Sequence, residues 1–166
     1  LNHEGKEEKL SCDFFISTVP ISLLPEILEP KPSLALQEAA RKLKFRGLVF
    51  VGLLIKKPTV LSASFMYFRD KSFNRITDLG NLAVKIKPDG CTILIAEITC
   101  QPNHPYWNND SDTIKMVTDE LYREGLLKPE EVLEGHVFKV EHGYPIYAVG
   151  YELALETVLK ELKIYN

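Results

Sequence analysis

Hydrophobic positions along the chain change period several times, and each change predicts an element. Leu10–Thr18 (LSCDFFIST) gathers apolar residues ahead of Pro20 and reads as a buried strand leaving into a loop. Ile21–Leu28 suits a short helix, after which Pro30 and Pro32 break the chain. Ser33 is placed to cap a helix through Leu43, with Leu36, Ala39, Ala40 and Leu43 on one stripe. Gly47–Lys56 (GLVFVGLLIK) is almost wholly apolar, as a strand covered on both faces would be, and Pro58 ends it. Ser62–Phe68 alternates as a second strand, Ala63, Phe65 and Tyr67 opposite Ser64, Met66 and Phe68.

Residues 69–90 are loop-rich, with a short strand near Leu82–Ile86. Pro88-Asp89-Gly90 is a turn, because proline presets the first bend and glycine accepts positive φ. Cys91–Ile98 is then a strand, and a hairpin across that turn is expected. Gln101–Asp110 is a polar loop with two prolines. Ser111 opens a helix through about Leu126, with Ile114, Val117 and Leu121 inward and Asp112 in the dipole-favoured first turn. After a turn at Lys128–Glu131, Gly135–Glu141 alternates as a strand, which Gly143-Tyr144-Pro145 interrupts. The last helix covers Tyr151–Lys163, with Tyr151, Leu155, Val158, Leu159 and Leu162 on one face. Strands mixed with helices, several of them hairpin-linked, predict an α+β fold: a mixed, largely antiparallel sheet with helices packed on it.

Composition narrows the function classes. The 166 residues are 45% hydrophobic and 26% charged, enough for a real core. A net charge of -3 carries no basic footprint, so no nucleic-acid partner is expected. No apolar run approaches the ~20 residues of a membrane span, and no signal peptide is visible; a cytoplasmic location is expected. The charge mixture at Glu4–Lys9 reads as a solvated turn. Cys12, Cys91 and Cys100 form neither a disulfide framework nor a CxxC site. Cys91 and Cys100 would lie roughly 30 Å apart on a straight strand, so free thiols are expected. Asn109-Asp110-Ser111 matches a glycosylation sequon and is read as a helix start. The chain begins with Leu1 rather than Met and stops at Asn166 just after a helix, so both ends are expected to be cut from something longer.

The familiar catalytic patterns fail. Gly47 and Gly52 have phosphate-loop spacing, but Leu53-Leu54 follow where Lys and Ser or Thr are required. No two glycines stand two residues apart, which excludes the dinucleotide fingerprint GxGxxG. His3, His104, His136 and His142 show no i, i+4 pair, and no metal site is expected. No GxSxG marks a nucleophile, and no catalytic residue can be named. Glu97, between Ala96 and Ile98 in an apolar strand, either faces solvent or needs a buried arginine partner. Phe65, Tyr67, Phe68, Phe73, Tyr144, Tyr147 and Tyr151 suit a core, or the polar tips of Tyr67, Tyr144 and Tyr147 line a ligand pocket.

Several ordered segments resemble one family. Asp13-Phe14-Phe15-Ile16-Ser17-Thr18-Val19-Pro20 resembles the D-x-x-I-S-T-x-P segment of flavin-containing amine oxidase and protoporphyrinogen oxidase-like proteins. Phe45–Val49, Tyr67–Asp70, Phe73–Ile76, Asn81-Leu82 and Trp107 with the Ser111 helix resemble successive later stretches. Tyr144-Pro145-Ile146-Tyr147 with Gly150-Tyr151-Glu152 resembles the P-x-Y-x-x-G-Y/H element. UDP-galactopyranose mutase-like members are similar here too, and the resemblance covers about residues 10–163.

The resemblance implies the substrate-binding segment of an FAD-dependent oxidoreductase, without the amino-terminal dinucleotide unit or the glycine-rich carboxy-terminal segment. Residues 1–20 would be a remnant of the FAD-domain strand and turn, and 21–166 a substrate-binding domain forming one compact unit. Ser17, Thr18 and Pro20 would sit near FAD, mostly through backbone atoms. Tyr67, Asn74, Arg75 and Tyr147 would face a small-molecule substrate. Arg75 either grips an anionic group through a bidentate fork or is a solvated loop charge. FAD is expected in the parent protein and not in this chain alone, which should be inactive. The missing FAD-binding domain of the same polypeptide is the implied partner, and without it the chain is expected to self-associate near Phe14-Phe15-Ile16. Apart from the resemblance, the residues also suit a self-contained α+β binding or interaction module without catalysis.

Overall fold

The computed structural model describes Asn2–His3, Lys6–Glu7 and Lys9–Tyr165. Its contacts group the chain into two units, Leu1–Leu43 with Gly150–Asn166, and Lys44–Val149. The last helix packs with the segment before residue 44.

In the first unit, β1 (Asn2–His3) and β2 (Lys6–Glu7) pair antiparallel. The expected turn at Glu4–Lys9 lies largely outside the described residues. α1 (Leu24–Ile27) is short. α2 (Leu34–Lys42) begins where the sequence places its cap: the Ser33 hydroxyl accepts from the Leu36 backbone N–H at 3.1 Å. Its stripe of Leu36, Ala39 and Ala40 is buried against Val158 of α5 (Tyr151–Leu162). The two alanines keep that helix pair close, and Ser33 also donates to Glu161 at 2.9 Å.

The second unit is an antiparallel sheet of five strands with a helix packed on it, so the fold is α+β. The strands are β3 (Lys44–Ile55), β4 (Phe65–Tyr67), β5 (Arg75–Asp78), β6 (Thr92–Thr99) and β7 (Val132–Ile146), in the order β4-β5-β6-β3-β7. α3 (Pro105–Asn108) leads into α4 (Asp110–Arg123), whose cap is Asn109, accepting from the Asp112 N–H at 3.2 Å. The sequon is therefore the helix start the sequence suggests. β3 buries Val49, Val51, Leu53 and Ile55 with Val117 and Leu121 of α4, Ile76 of β5, and Leu94 and Ile98 of β6. Each such side chain contributes about 1.5–3 kcal/mol by burial, and together they make the core of this unit.

Three expected elements are not formed. Leu10–Thr18 is not a strand: Phe14, Phe15 and Ile16 are 92%, 78% and 88% exposed. An apolar run becomes a strand only where another edge accepts its backbone, and among the described residues none does. The strand near Leu82–Ile86 is replaced by a 3-10 turn at Leu79–Leu82 that ends in left-handed Ala83. The strand that pairs with β6 is instead the short β5, so the connection at 79–91 is too long for a hairpin across Pro88–Gly90, although Gly90 does take a positive φ of 79°. The expected interruption at Gly143 appears as a loss of register with β3 between Val140 and Tyr144, although β7 itself runs on to Ile146. Pro145 pairs in register with Phe45, which is tolerated because β7 is an edge strand. All three cysteines are free, Cys91 and Cys100 buried and Cys12 exposed.

Candidate functional site

Strand alternation divides the sheet's side chains. On β3 the odd positions from Val49 to Ile55 go to the core beneath α4, while Phe50 and Gly52 face the other way. On β6, Leu94, Ala96 and Ile98 are core, and Ile93, Ile95 and Glu97 share the opposite face with Arg75 and Thr77 of β5. Within this unit no helix covers that second face among the described residues. It holds an open cavity of about 430 Å³, lined by apolar residues that include Phe50, Ile93, Ile95 and Phe138, by Gly52, and by the polar residues Arg75, Thr77 and Glu97.

Arg75 and Glu97 are cross-strand partners, and the register puts them opposite each other. The Arg75 guanidinium donates to Glu97 Oε2 at 2.6 Å. The Tyr144 hydroxyl, reaching from β7, donates to the same carboxylate at 3.2 and 3.3 Å. Arg75 also lies over the rings of Phe65 and Tyr67, 5.4 and 5.9 Å from their centroids, in cation–π range. Its Nε is buried with no hydrogen-bond partner. A hydrogen bond with Tyr67 and the Glu97 charge hold Arg75 above its ordinary pKa against desolvation. Burial first, then the Glu97 charge, push the Tyr144 phenol up as well. At neutral pH Tyr144 is thus a neutral phenol donating to the carboxyl group that Arg75 grips.

Of the two readings of Glu97, the structure takes the buried one: it is 7% exposed and paired with arginine. The aromatic set splits. Phe73 is fully buried and meets Phe68 edge-on at 5.1 Å, which is core, whereas Phe65, Tyr67 and Tyr144 flank the ion pair.

The four substrate-side residues named from the sequence are only partly brought together. Tyr67 and Arg75 are cross-strand neighbours on β4 and β5. The Asn74 side chain accepts from the Thr99 N–H and hydroxyl at 3.3 and 2.9 Å, and its backbone joins Phe68 to Glu97, so it clamps strands. Tyr147 lines a separate cleft of about 260 Å³ with Arg46, Thr99 and Tyr144. Glu97 and Tyr144 complete the cluster; the sequence offered Glu97 as a buried arginine partner and Tyr144 as a pocket-lining phenol, each as one of two readings, and neither was among the residues assigned to the substrate face.

Ser17, Thr18 and Pro20 belong to the first unit. Ser17 Oγ accepts from the Val19 N–H at 3.3 Å, and the Pro20 carbonyl accepts from the N–H groups of Leu23 and Leu24, starting α1. Thr18 is exposed. One N–H at the amino-terminus of each of α2 and α4 is taken by its own cap, Leu36 N–H by Ser33 and Asp112 N–H by Asn109, whereas α5 starts at Gly150 with no side-chain cap. No group of three or more histidine, cysteine or acidic side chains is placed to hold a metal among the described residues. No helix is long and apolar enough to cross a membrane among the described residues.

No protein-family model matches the chain, and no curated protein matches it by sequence. Solved structures do. The chain is similar to reduced UDP-galactopyranose mutase over 96% of its own length and 35% of that chain, with a TM-score of 0.74 and 25% sequence identity. It is also similar to a protein from Exiguobacterium sp. 255-15 assigned as a protoporphyrinogen oxidase, over 89% of its length and 33% of that chain, with a TM-score of 0.64 and 16% identity. These neighbours are of the two kinds that the residue motifs resemble, and they support the resemblance. The chain spans about a third of the length of each.

Proposed function

We propose that this chain is the substrate-binding segment of an FAD-dependent oxidoreductase of the amine oxidase and protoporphyrinogen oxidase type. The observation that carries the reading is the match to UDP-galactopyranose mutase, which takes in 96% of this chain but 35% of the other. The open sheet face with Arg75, Glu97, Tyr67 and Tyr144 is the substrate side in this reading, and Ser17–Pro20 meet the edge of the flavin. FAD would supply the redox chemistry, and its phosphates would be held by a part of the polypeptide outside this chain. The chain's own residues would orient the substrate against the ion pair.

The test is the visible spectrum of a purified longer protein that carries this segment. Flavin absorption bands are expected. A colourless protein that also fails to take up added FAD would overturn the reading. The 166 residues alone are expected to bind no stoichiometric FAD, because a few contacts at Ser17–Pro20 do not offset the entropy of fixing so large a ligand. Saturable micromolar quenching of flavin fluorescence at one site per chain would show that the cofactor contacts are misplaced.

The same reading assigns Phe14, Phe15 and Ile16, exposed in the first unit, to an interface with the flavin-binding part. Without that part, the chain should self-associate, most simply as a two-fold dimer. Light scattering over a concentration series should show mass rising with concentration, and Phe14→Ser with Phe15→Ser should suppress the rise. A monomer up to millimolar concentration would count against the assignment.

A further inference from the structure

Gly52 stands in the middle of the longest apolar strand, between Ile95 on β6 and His136 on β7. A glycine there weakens the strand, since it adds backbone entropy and has no side chain to pack. No crowding requires it. A Cβ at this position would come no nearer than 4.0 Å to its closest neighbours, the His136 carbonyl oxygen and Ile93 Cγ2. Gly80 is the contrast: a Cβ there would run into the Pro58 carbonyl oxygen and lie 2.9 Å from Thr92 Oγ1, so the protein itself demands glycine. At Gly52 the protein leaves room that it does not use, and the room is the cavity of about 430 Å³ on the sheet's open face.

The charges around that cavity are already balanced. Its one cation, Arg75, is paired at 2.6 Å with its one anion, Glu97. A phosphate or diphosphate entering it would lose water and meet a cation whose charge Glu97 already balances and whose one unpartnered donor, Nε, is buried. The rest of the lining is Phe50, Leu79, Ile93, Ile95 and Phe138, with Thr77 its one uncharged polar side chain.

We propose that the cavity above Gly52 takes a flat, uncharged, apolar or aromatic ring system, with its one polar end against the Arg75–Glu97 pair. This deepens the functional reading by naming the substrate class of that face, and it separates this site from one built for a sugar nucleotide. Gly52 sets the depth of the cavity, and Phe138 forms a wall.

The test uses the chain itself with N-phenyl-1-naphthylamine, a neutral aromatic probe whose fluorescence rises in apolar surroundings. Saturable binding at one site per chain is expected, undisturbed by millimolar UDP. Gly52→Leu should fill the cavity, weaken the probe at least tenfold, and leave the melting temperature unchanged or raised. Phe138→Ala, at an exposed side chain that the fold does not need, should weaken it several-fold. The proposal is overturned if the wild-type chain does not bind the probe, if Gly52→Leu binds it as well as wild type, or if UDP displaces it. It is equally overturned if a Phe14→Ser, Phe15→Ser, Ile16→Ser variant abolishes binding, since the signal would then come from that segment. Flavin plays no part in the readout. A colourless longer protein with intact, Gly52-dependent probe binding would sink the oxidoreductase reading alone.

Discussion

Replacing Asp78 with alanine should cost the sheet unit about 3 kcal/mol or more, given charge-assisted hydrogen bonds worth roughly 1.5–3 kcal/mol each that do not simply add. Asp78 is fully buried at the end of β5. Its carboxylate accepts from the N–H groups of Val60 and Leu61 at 2.6 and 2.9 Å, from the Gly80 N–H at 3.1 Å and from the Thr92 hydroxyl at 2.6 Å. Asn81, three residues on, donates to the carbonyls of Leu61 and Ala63 at 2.9 and 3.1 Å. Together they tie the loop after β3 to the β5–β6 connection, bringing Leu61 into the core. Alanine would strand several buried donors at once, and that penalty exceeds the value of any one bond. Asparagine keeps one acceptor but turns an amide toward other donors, so Asp78→Asn should recover little. The midpoint of urea unfolding, at unchanged slope, measures this. A loss under 1 kcal/mol for Asp78→Ala would mean that water replaces the carboxylate and that the loop is not pinned there.

Legibility in the sequence followed how local each signal is. The helix from Leu34 was readable because Ser33 and the apolar stripe lie within three turns. β3 and β6 were readable because each is a long apolar run. β5 was missed: Arg75-Ile76-Thr77-Asp78 has one apolar residue, and its strand character comes from pairing with β4 and β6. Asp78 falls within residues 69–90, the stretch read as loop-rich. Apart from near neighbours such as Gly80, two residues on, its partners lie 14 to 18 residues away. Leu10–Thr18 failed the other way, with a strand-like pattern and no partner edge among the described residues. The site divided along similar lines. Arg75 and Tyr67 came from the family resemblance, whereas the Glu97 and Tyr144 roles depend on register between strands 22 and 47 residues apart in sequence. Asn74 and Tyr147 were grouped with Arg75 by motif, but each stands just outside its strand, Asn74 bonded to Thr99 and Tyr147 in a separate cleft.

The Arg75–Glu97 pair should show a strongly unequal double-mutant cycle. The Glu97 side chain is 9% exposed and that of Arg75 is 28% exposed, so the two partners are not equally stranded when one is removed. Arg75→Met keeps much of the apolar stem and takes away the cation. Glu97 is then buried with the Tyr144 hydroxyl as its remaining donor. Breaking a buried pair costs about 3–5 kcal/mol; with Arg75 partly solvated, a loss of about 2–3 kcal/mol is expected here. Glu97→Leu strands a guanidinium that still has Tyr67, the Phe65 ring and water, and should cost less, about 1 kcal/mol on the scale of partly exposed pairs. The double variant Arg75→Met, Glu97→Leu leaves no charge in an apolar face and should be more stable than Arg75→Met alone, a coupling of opposite sign to simple addition. Chemical unfolding of the four proteins reads the cycle. Additive losses would mean that the pair is solvated and contributes nothing as a pair, which would also remove the charge balance expected to exclude anions from the cavity above Gly52.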